Sequence, residues 1–266
     1  STSVRLAIDV MGGDFGPRAT LRGTASALLR DSQLSAILVG PQHLLDAELD
    51  SLPASLSRVC DRLQTLAVDG IVASDARPSR VLRSREPSSM SQALGLVAKG
   101  QADACVSAGN TGALMALGMR EVGRVKGVER PAICAAVPTR GARACSLLDL
   151  GANVDVAPHH LLTFARMGAM RSRLIDAVEC PRVGLLNVGV ESVKGTAQVQ
   201  EAHALLAGSE SDFDYLGFVE GGDLFVALSG ARTDGHEFVG VALETAAAAL
   251  VSRDADLQSP PPERVR

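Results

Sequence analysis

Short apolar runs separated by polar, glycine-bearing loops set the rhythm of this chain. Val4–Val10 is apolar apart from Arg5 and Asp9, and it turns at Met11-Gly12-Gly13-Asp14. Pro17 then opens a helical stretch to about Arg30, because proline is tolerated in a first helical turn. Ala36–Val39 predicts a second strand, closed by Gly40-Pro41. Ser88 and Ser89 are candidate caps for a helix running to Lys99, which Gly100 stops. Ala104–Ser107 predicts a strand that ends in Ala108-Gly109-Asn110-Thr111-Gly112, followed by an apolar helix to about Arg124. Ile133–Val137 and Ser146–Leu150 predict two more strands, the second ending in Gly151-Ala152-Asn153-Val154-Asp155 before a helix that starts at Pro158. Val183–Val188 predicts a strand ending in Gly189, then a helix from about Gly195 to Leu206, and Tyr215–Val219 a last strand.

Buried runs alternating with helices predict βαβ units, hence an α/β fold with a mainly parallel sheet flanked by helices. In such sheets ligands sit outside the carboxyl ends of the strands. Each polar loop named above lies at such an end. No internal repeat is visible. Ser51–Arg58 and Ser74–Pro87 are the best linker candidates, but neither divides the chain, so residues 1–252 are expected to form a single α/β domain. Leu228–Arg232 falls where another strand is due yet is not strand-like. An Ala-rich helix is expected to follow, and residues 253–266, with Ser259-Pro260-Pro261-Pro262, to form a disordered tail.

Composition narrows the chemistry. The 266 residues are 46% hydrophobic with six Phe, one Tyr and no Trp, so Ala, Val and Leu must fill the core and no aromatic platform exists for stacking bases. The net charge of −4 and the lack of a basic run argue against nucleic acid as a partner. Cys60, Cys105, Cys134, Cys145 and Cys180 have no paired spacing, which predicts reduced thiols in a cytosol. No run of about 18 apolar residues is present to span a bilayer.

The loops carry the candidate chemistry. Helix N-termini attract anions, and glycines let an oxyanion approach the backbone closely. Ser107, Gly109, Asn110, Thr111 and Gly112 have this form, although a plain strand-to-helix turn capped by Asn110 would look the same. Gly189-Val-Glu-Ser-Val-Lys194-Gly195-Thr196 has Lys and Gly in the wrong order for a P-loop. Cys105 takes the first glycine position of a G-x-S-x-G elbow at Ser107. Gly12, Gly13 and Gly16 do not make G-x-G-x-x-G. Lys194 stands near Glu191 just beyond a strand end; it is either a solvated first-turn lysine or a point charge for phosphate or a developing oxyanion. The solvated lysine is the commoner case, and the scarcity of lysines, three of the 26 basic residues, adds only some weight to the second reading. Asp9, Asp14, Asp149 and Asp155 are loop organisers or acids, while Asn153 and Asn187 can donate to phosphate without charge repulsion. Cys105 is more readily a buried small residue than a nucleophile. The five histidines show no metal-ligand spacing.

Taken in order, these loops resemble the bacterial PlsX family of phosphate acyltransferases. The resemblance rests on residues Ile8–Pro17, Ala102–Met115, Arg130-Pro131 with Pro138-Thr139, Leu147–Asp155 and Pro181–Gly189, and spans roughly residues 4–222. It implies a Rossmann-like fold akin to isopropylmalate dehydrogenases. The implied reaction is transfer of a fatty acyl group from acyl carrier protein to inorganic phosphate, for phospholipid synthesis, in a cytoplasmic homodimer with peripheral membrane association and neither metal nor organic cofactor. Lys194 matches the lysine of the family's Gly-x-Glu-x-x-Lys-Gly motif. By the same resemblance Lys194, Asn187 and Asp234 are catalytic. Asp9, Gly12, Gly13, Asp14, the Ser107–Gly112 loop, Asp149, Asn153, Gly189 and Glu191 would then bind substrate or phosphate.

Departures accompany the match. Thr196 stands where the family usually has Asn. Asp234-Gly235 is kept, but His236-Glu237 is inserted after it, and Val241 replaces a further Asn. The chain also ends roughly 70 to 80 residues before a typical member by domain-size reasoning. A catalytically impaired carrier-protein-binding relative is therefore the alternative expectation.

Overall fold

The computed structural model describes residues 3–137, 144–153, 155–188, 195–220, 224–227 and 248–251. They fall into two compact units, Ser1–Pro131 and Ala132–Arg266.

The first unit is built on four parallel strands. β1 (Val4–Asp9), β2 (Leu34–Gly40), β3 (Leu63–Ala67) and β4 (Ala104–Ser107) stand in the order β3-β2-β1-β4. The connections are α1 (Gly16–Arg30), α2 (Gln42–Asp50) with α3 (Ala54–Ser57), and α4 (Pro78–Arg83) with α5 (Ser89–Ala98). α6 (Thr111–Glu121) follows β4.

Strand alternation decides which helix each side chain meets. Ile8 and Val10, with Ala36 and Leu38, pack against Leu21, Ala25 and Leu28 of α1 and Leu45 of α2. Ala7, with Ile37 and Val39, faces Ala93 of α5 on the other side. Asp9 is two residues on from Ala7, so it shares that second face. In register, Ala7 lies opposite Cys105 and Asp9 opposite Ser107. A carboxylate is thereby carried into the sheet–helix interface, where an apolar residue would be the default.

The second unit holds β5 (Ala135–Val137) antiparallel to β6 (Cys145–Leu147), then α7 (Pro158–Asp176), β7 (Arg182–Asn187), α8 (Ala197–Gly208) and β8 (Asp214–Glu220). β7 and β8 are parallel, and β9 (Leu224–Ala227) pairs in parallel with β10 (Ala248–Val251). Ala169 of α7 and Ala202 and Leu206 of α8 pack with Leu185 and Phe213 beside the β7–β8 pair. The sole tyrosine, Tyr215, shares a 2.8 Å hydrogen bond with His203, whose ring stacks on Phe218. Burial pushes the Tyr215 phenol up from its ordinary pKa.

Several expectations need correction. The Ala-rich segment near the end contains the strand β10, where pairing with β9 overrides the strong intrinsic helix preference of alanine. The strand expected over Ser146–Leu150 stops at Leu147, where Asp149 takes over as the centre of a loop. Both linker candidates contain helix: α3 within Ser51–Arg58 and α4 within Ser74–Pro87. The apolar helix after Gly112 ends at Glu121, short of Arg124. Leu228–Arg232 and the tail lie outside the described residues.

Candidate active site

In the first unit, two loops meet at the carboxyl ends of adjacent strands. Asp9 is only 2% exposed, and its two carboxylate oxygens are divided between two hydroxyls. Ser89 Oγ donates to Oδ1 at 2.6 Å and Ser107 Oγ donates to Oδ2 at 2.7 Å. Ser89 is the first residue of α5, so the carboxylate lies at the positive end of that helix. Ser107 Oγ in turn accepts the Gly109 N–H at 3.1 Å. One buried carboxylate thus fixes both the end of β4 and the start of the loop beyond it.

Gly12 is required by proximity. A Cβ there would stand 2.7 Å from Gly109 N and 2.9 Å from Ala108 N, both backbone atoms that cannot give way. Gly13 has φ +99° and passes close to Ala108. Gly109 in turn packs on Met90 of α5, where a Cβ would sit 2.9 Å from the methionine methyl. Backbone therefore lies on backbone where β1 and β4 end.

Asn110 is the N-cap of α6: its Oδ1 accepts the Ala113 N–H at 2.8 Å, and its Nδ2 donates to the carbonyls of Ser74 and Ala76 at 2.8 and 3.0 Å. Its amide is spent on structure. Thr111 and Gly112 begin α6, and N–H groups of a first helical turn have no acceptor within the helix. Asp14 is exposed and makes no hydrogen bond or ion pair among the described residues.

Cys105, beside the buried carboxylate, has its thiol pKa pushed up to about 11, first by burial and then by the negative charge of Asp9. A thiol so hard to ionise is a poor nucleophile at neutral pH.

In the second unit, Asp149 organises its own loop. One carboxylate oxygen accepts the N–H groups of Ile133 at 2.8 Å and Ala152 at 3.2 Å; the other accepts the backbone and side-chain N–H groups of Asn153, each at 2.8 Å. Asn187 ends β7, is buried, and packs on Gly195, whose φ is +97°. A Cβ on Gly195 would fall inside the Asn187 amide. Thr196 caps α8 by accepting the Val199 N–H at 3.3 Å, a task for which Asn would serve equally well. Gly189, Glu191, Lys194 and Asp234 lie outside the described residues.

Ser89 and His160 were missed in the sequence. Ser89 was visible only as a possible cap, and that task falls to Ser88, which accepts the Ser91 N–H at 3.1 Å. A second serine after a capping serine was the available signal, since it is free to face the sheet. His160 is buried, and its Nδ1 accepts the Ala157 N–H at 3.0 Å, which anchors the start of α7.

Parallel strands, covering helices and loops at the strand ends define a fold shared with acyl-transferring enzymes. The EutD phosphotransacetylase from Staphylococcus aureus matches 96% of this chain and 78% of its own, with TM-score 0.53 and 14% identity. A branched-chain phosphotransacylase from Enterococcus faecalis V583 matches 93% of this chain and 78% of its own, with TM-score 0.53 and 15% identity. At those identities the likeness concerns the fold alone.

Sequence goes further. Residues 4–249 match the family described as Fatty acid synthesis protein, and the chain belongs to that family. It is 47% identical over 220 residues to a phosphate acyltransferase from Pseudomonas syringae pv. syringae, covering 83% of this chain and 63% of that protein. It is 43% identical over 224 residues to a phosphate acyltransferase from Shewanella woodyi, covering 84% of this chain and 64% of that one. The chain thus spans somewhat under two thirds of the length of these relatives. No helix among the described residues is long and apolar enough to cross a membrane.

Proposed function

We propose that this protein is a phosphate acyltransferase, which moves a fatty acyl group from acyl carrier protein to inorganic phosphate. A phosphate oxygen attacks the thioester carbonyl carbon, the C–S bond breaks, and the thiolate leaves on the carrier and takes up a proton. The products are acyl phosphate and free carrier. The apposition of the Gly12-Gly13 and Ser107–Gly112 loops at the ends of β1 and β4 carries this reading, together with the identity to phosphate acyltransferases.

The chemistry asks for little else. Phosphate must be held and partly desolvated beside the carbonyl, which suits backbone N–H groups at the start of α6. Lys194 supplies a point charge to neutralise phosphate or the tetrahedral oxyanion. Asp9 acts through Ser107, as a positioning residue. No protein nucleophile is needed, in keeping with the high pKa of Cys105.

The same proposal extends to a cytoplasmic homodimer that touches the membrane peripherally, where its product is consumed. Its test is to supply acyl-loaded carrier and phosphate, and to follow free thiol together with acyl phosphate. Phosphate-dependent release of both supports the reading. A well-folded protein that releases neither contradicts it.

A further inference from the structure

Between the flanking acids Asp75 and Glu86 the chain carries four arginines and no further acid, although the protein as a whole has a net charge of −4. Arg77, Arg80 and Arg83 recur every three residues in and just before α4, so helical geometry gathers them, and Arg85 follows in the exit loop. All four are exposed. Arg77, Arg80 and Arg85 make no ion pair or side-chain hydrogen bond among the described residues. Arg83 donates only to the Ser79 carbonyl, at 3.1 Å. Exposed like charges this close together concentrate a positive field at the surface.

This basic segment is also tied to the candidate site. Asn110 holds the carbonyls of Ser74 and Ala76, and a Cβ on Gly112 would stand 2.7 Å from Pro78 Cγ. Val81 packs α4 onto the cluster formed by Ala113 and Leu117 of α6 with Met90 and Leu94 of α5. Arg120 of α6 donates to the carbonyls of Leu82 and Ser84 at 3.3 and 3.0 Å, fixing the other end. The arginines therefore stand on a rigid wall beside the loop that would bind phosphate.

We propose that this α4 surface docks an acidic carrier protein, holding it so that its pendant thioester reaches the Ser107–Gly112 loop. The inference rests on the acyl-transfer reading for the direction in which the thioester must be delivered. The guanidinium fork suits carboxylates in two-point contacts, and a concentrated positive field on a negative protein steers an acidic partner to one face. Leu82, 40% exposed among these arginines, adds the apolar contact that a protein interface requires and a purely ionic site does not.

The test is charge reversal, R77E/R80E/R85E, in the full chain, with folding checked by the urea midpoint. Binding of acyl-loaded carrier protein, followed by fluorescence anisotropy at low salt, is expected to weaken at least about tenfold. Phosphorolysis of a small acyl-pantetheine thioester, which needs no docking, is expected to be unchanged. The glutamine triple variant gives a smaller loss and serves if the reversed protein does not fold. Unchanged carrier binding overturns the inference, as does an equal loss of activity on both thioesters. Loss of binding to phosphatidylglycerol vesicles with carrier binding intact also overturns it, in favour of a membrane surface. If the unaltered protein turns over no thioester, the acyl-transfer reading fails, while the anisotropy arm still decides the docking surface by itself.

Discussion

The Ser107 hydroxyl donates to the Asp9 carboxylate at 2.7 Å, joining the ends of two strands that lie 98 residues apart in sequence. Ser107→Ala removes this bond and also leaves the Gly109 N–H without its acceptor. Loss of a bond to a charged group in a part-buried site predicts destabilisation of about 1.5–3 kcal/mol, read as a lower urea midpoint at unchanged slope. Turnover is expected to fall further than stability requires, because the Ser107–Gly112 loop loses its anchor.

Asp9→Ala strands two hydroxyls at once, those of Ser89 and Ser107. It is expected to cost more than Ser107→Ala, whereas Asp9→Asn keeps an acceptor for one serine and is expected to fall between wild type and Asp9→Ala. Urea unfolding of the three variants checks that order.

Gly12 and Gly23 separate crowding from conformational freedom. Gly12→Ala drives a Cβ into the backbone of residues 108 and 109, so it predicts destabilisation of about 1–3 kcal/mol and loss of activity. Gly23→Ala, inside α1 with nothing within 4 Å of the new methyl, predicts a gain of about 0.4–1 kcal/mol. Thermal melts of both variants give the comparison.

Much of the first unit was legible. β1 and β2 announce themselves as apolar runs because their last residues are buried on both sheet faces, which demands continuous hydrophobicity. β3 escaped because Gln64 and Thr65 are exposed on a strand that ends the four-stranded sheet, so no apolar run marks it. α4 escaped because polar residues dominate it and Val81 alone anchors it in the apolar cluster. Its arginines are interrupted by neutral residues, so they look like no basic run until the helix brings them together. Of the site, the glycines and Ser107 were readable from loop form. The Ser89–Asp9 bond was not, since a contact across 80 residues leaves no local pattern.

Thiol reactivity tests the environment of Asp9. Cys105 has its pKa raised to about 11, so it remains protonated through neutral pH, and its labelling by a thiol reagent is expected to climb only as pH approaches that value. Exposed Cys60 and Cys180 are expected to react first. Replacing Asp9 with Asn removes the adjacent charge and is expected to shift the Cys105 labelling profile to lower pH, as mass spectrometry of labelled peptides would record.

Lys194→Ala is expected to reduce acyl transfer by about 10²–10³ while leaving the unfolding midpoint unchanged, the size expected for a lost preorganised charge at the reacting oxygen. Equal turnover in the two proteins would leave Lys194 without a part in the reaction.

The central claim is that phosphate, and not water, accepts the acyl group. The most direct measurement supplies acyl-loaded carrier protein with ¹⁸O-labelled inorganic phosphate and compares labelled acyl phosphate with thiol released. One labelled acyl phosphate per thiol is the predicted result. Thiol release that yields free fatty acid, or that proceeds without phosphate, would contradict it.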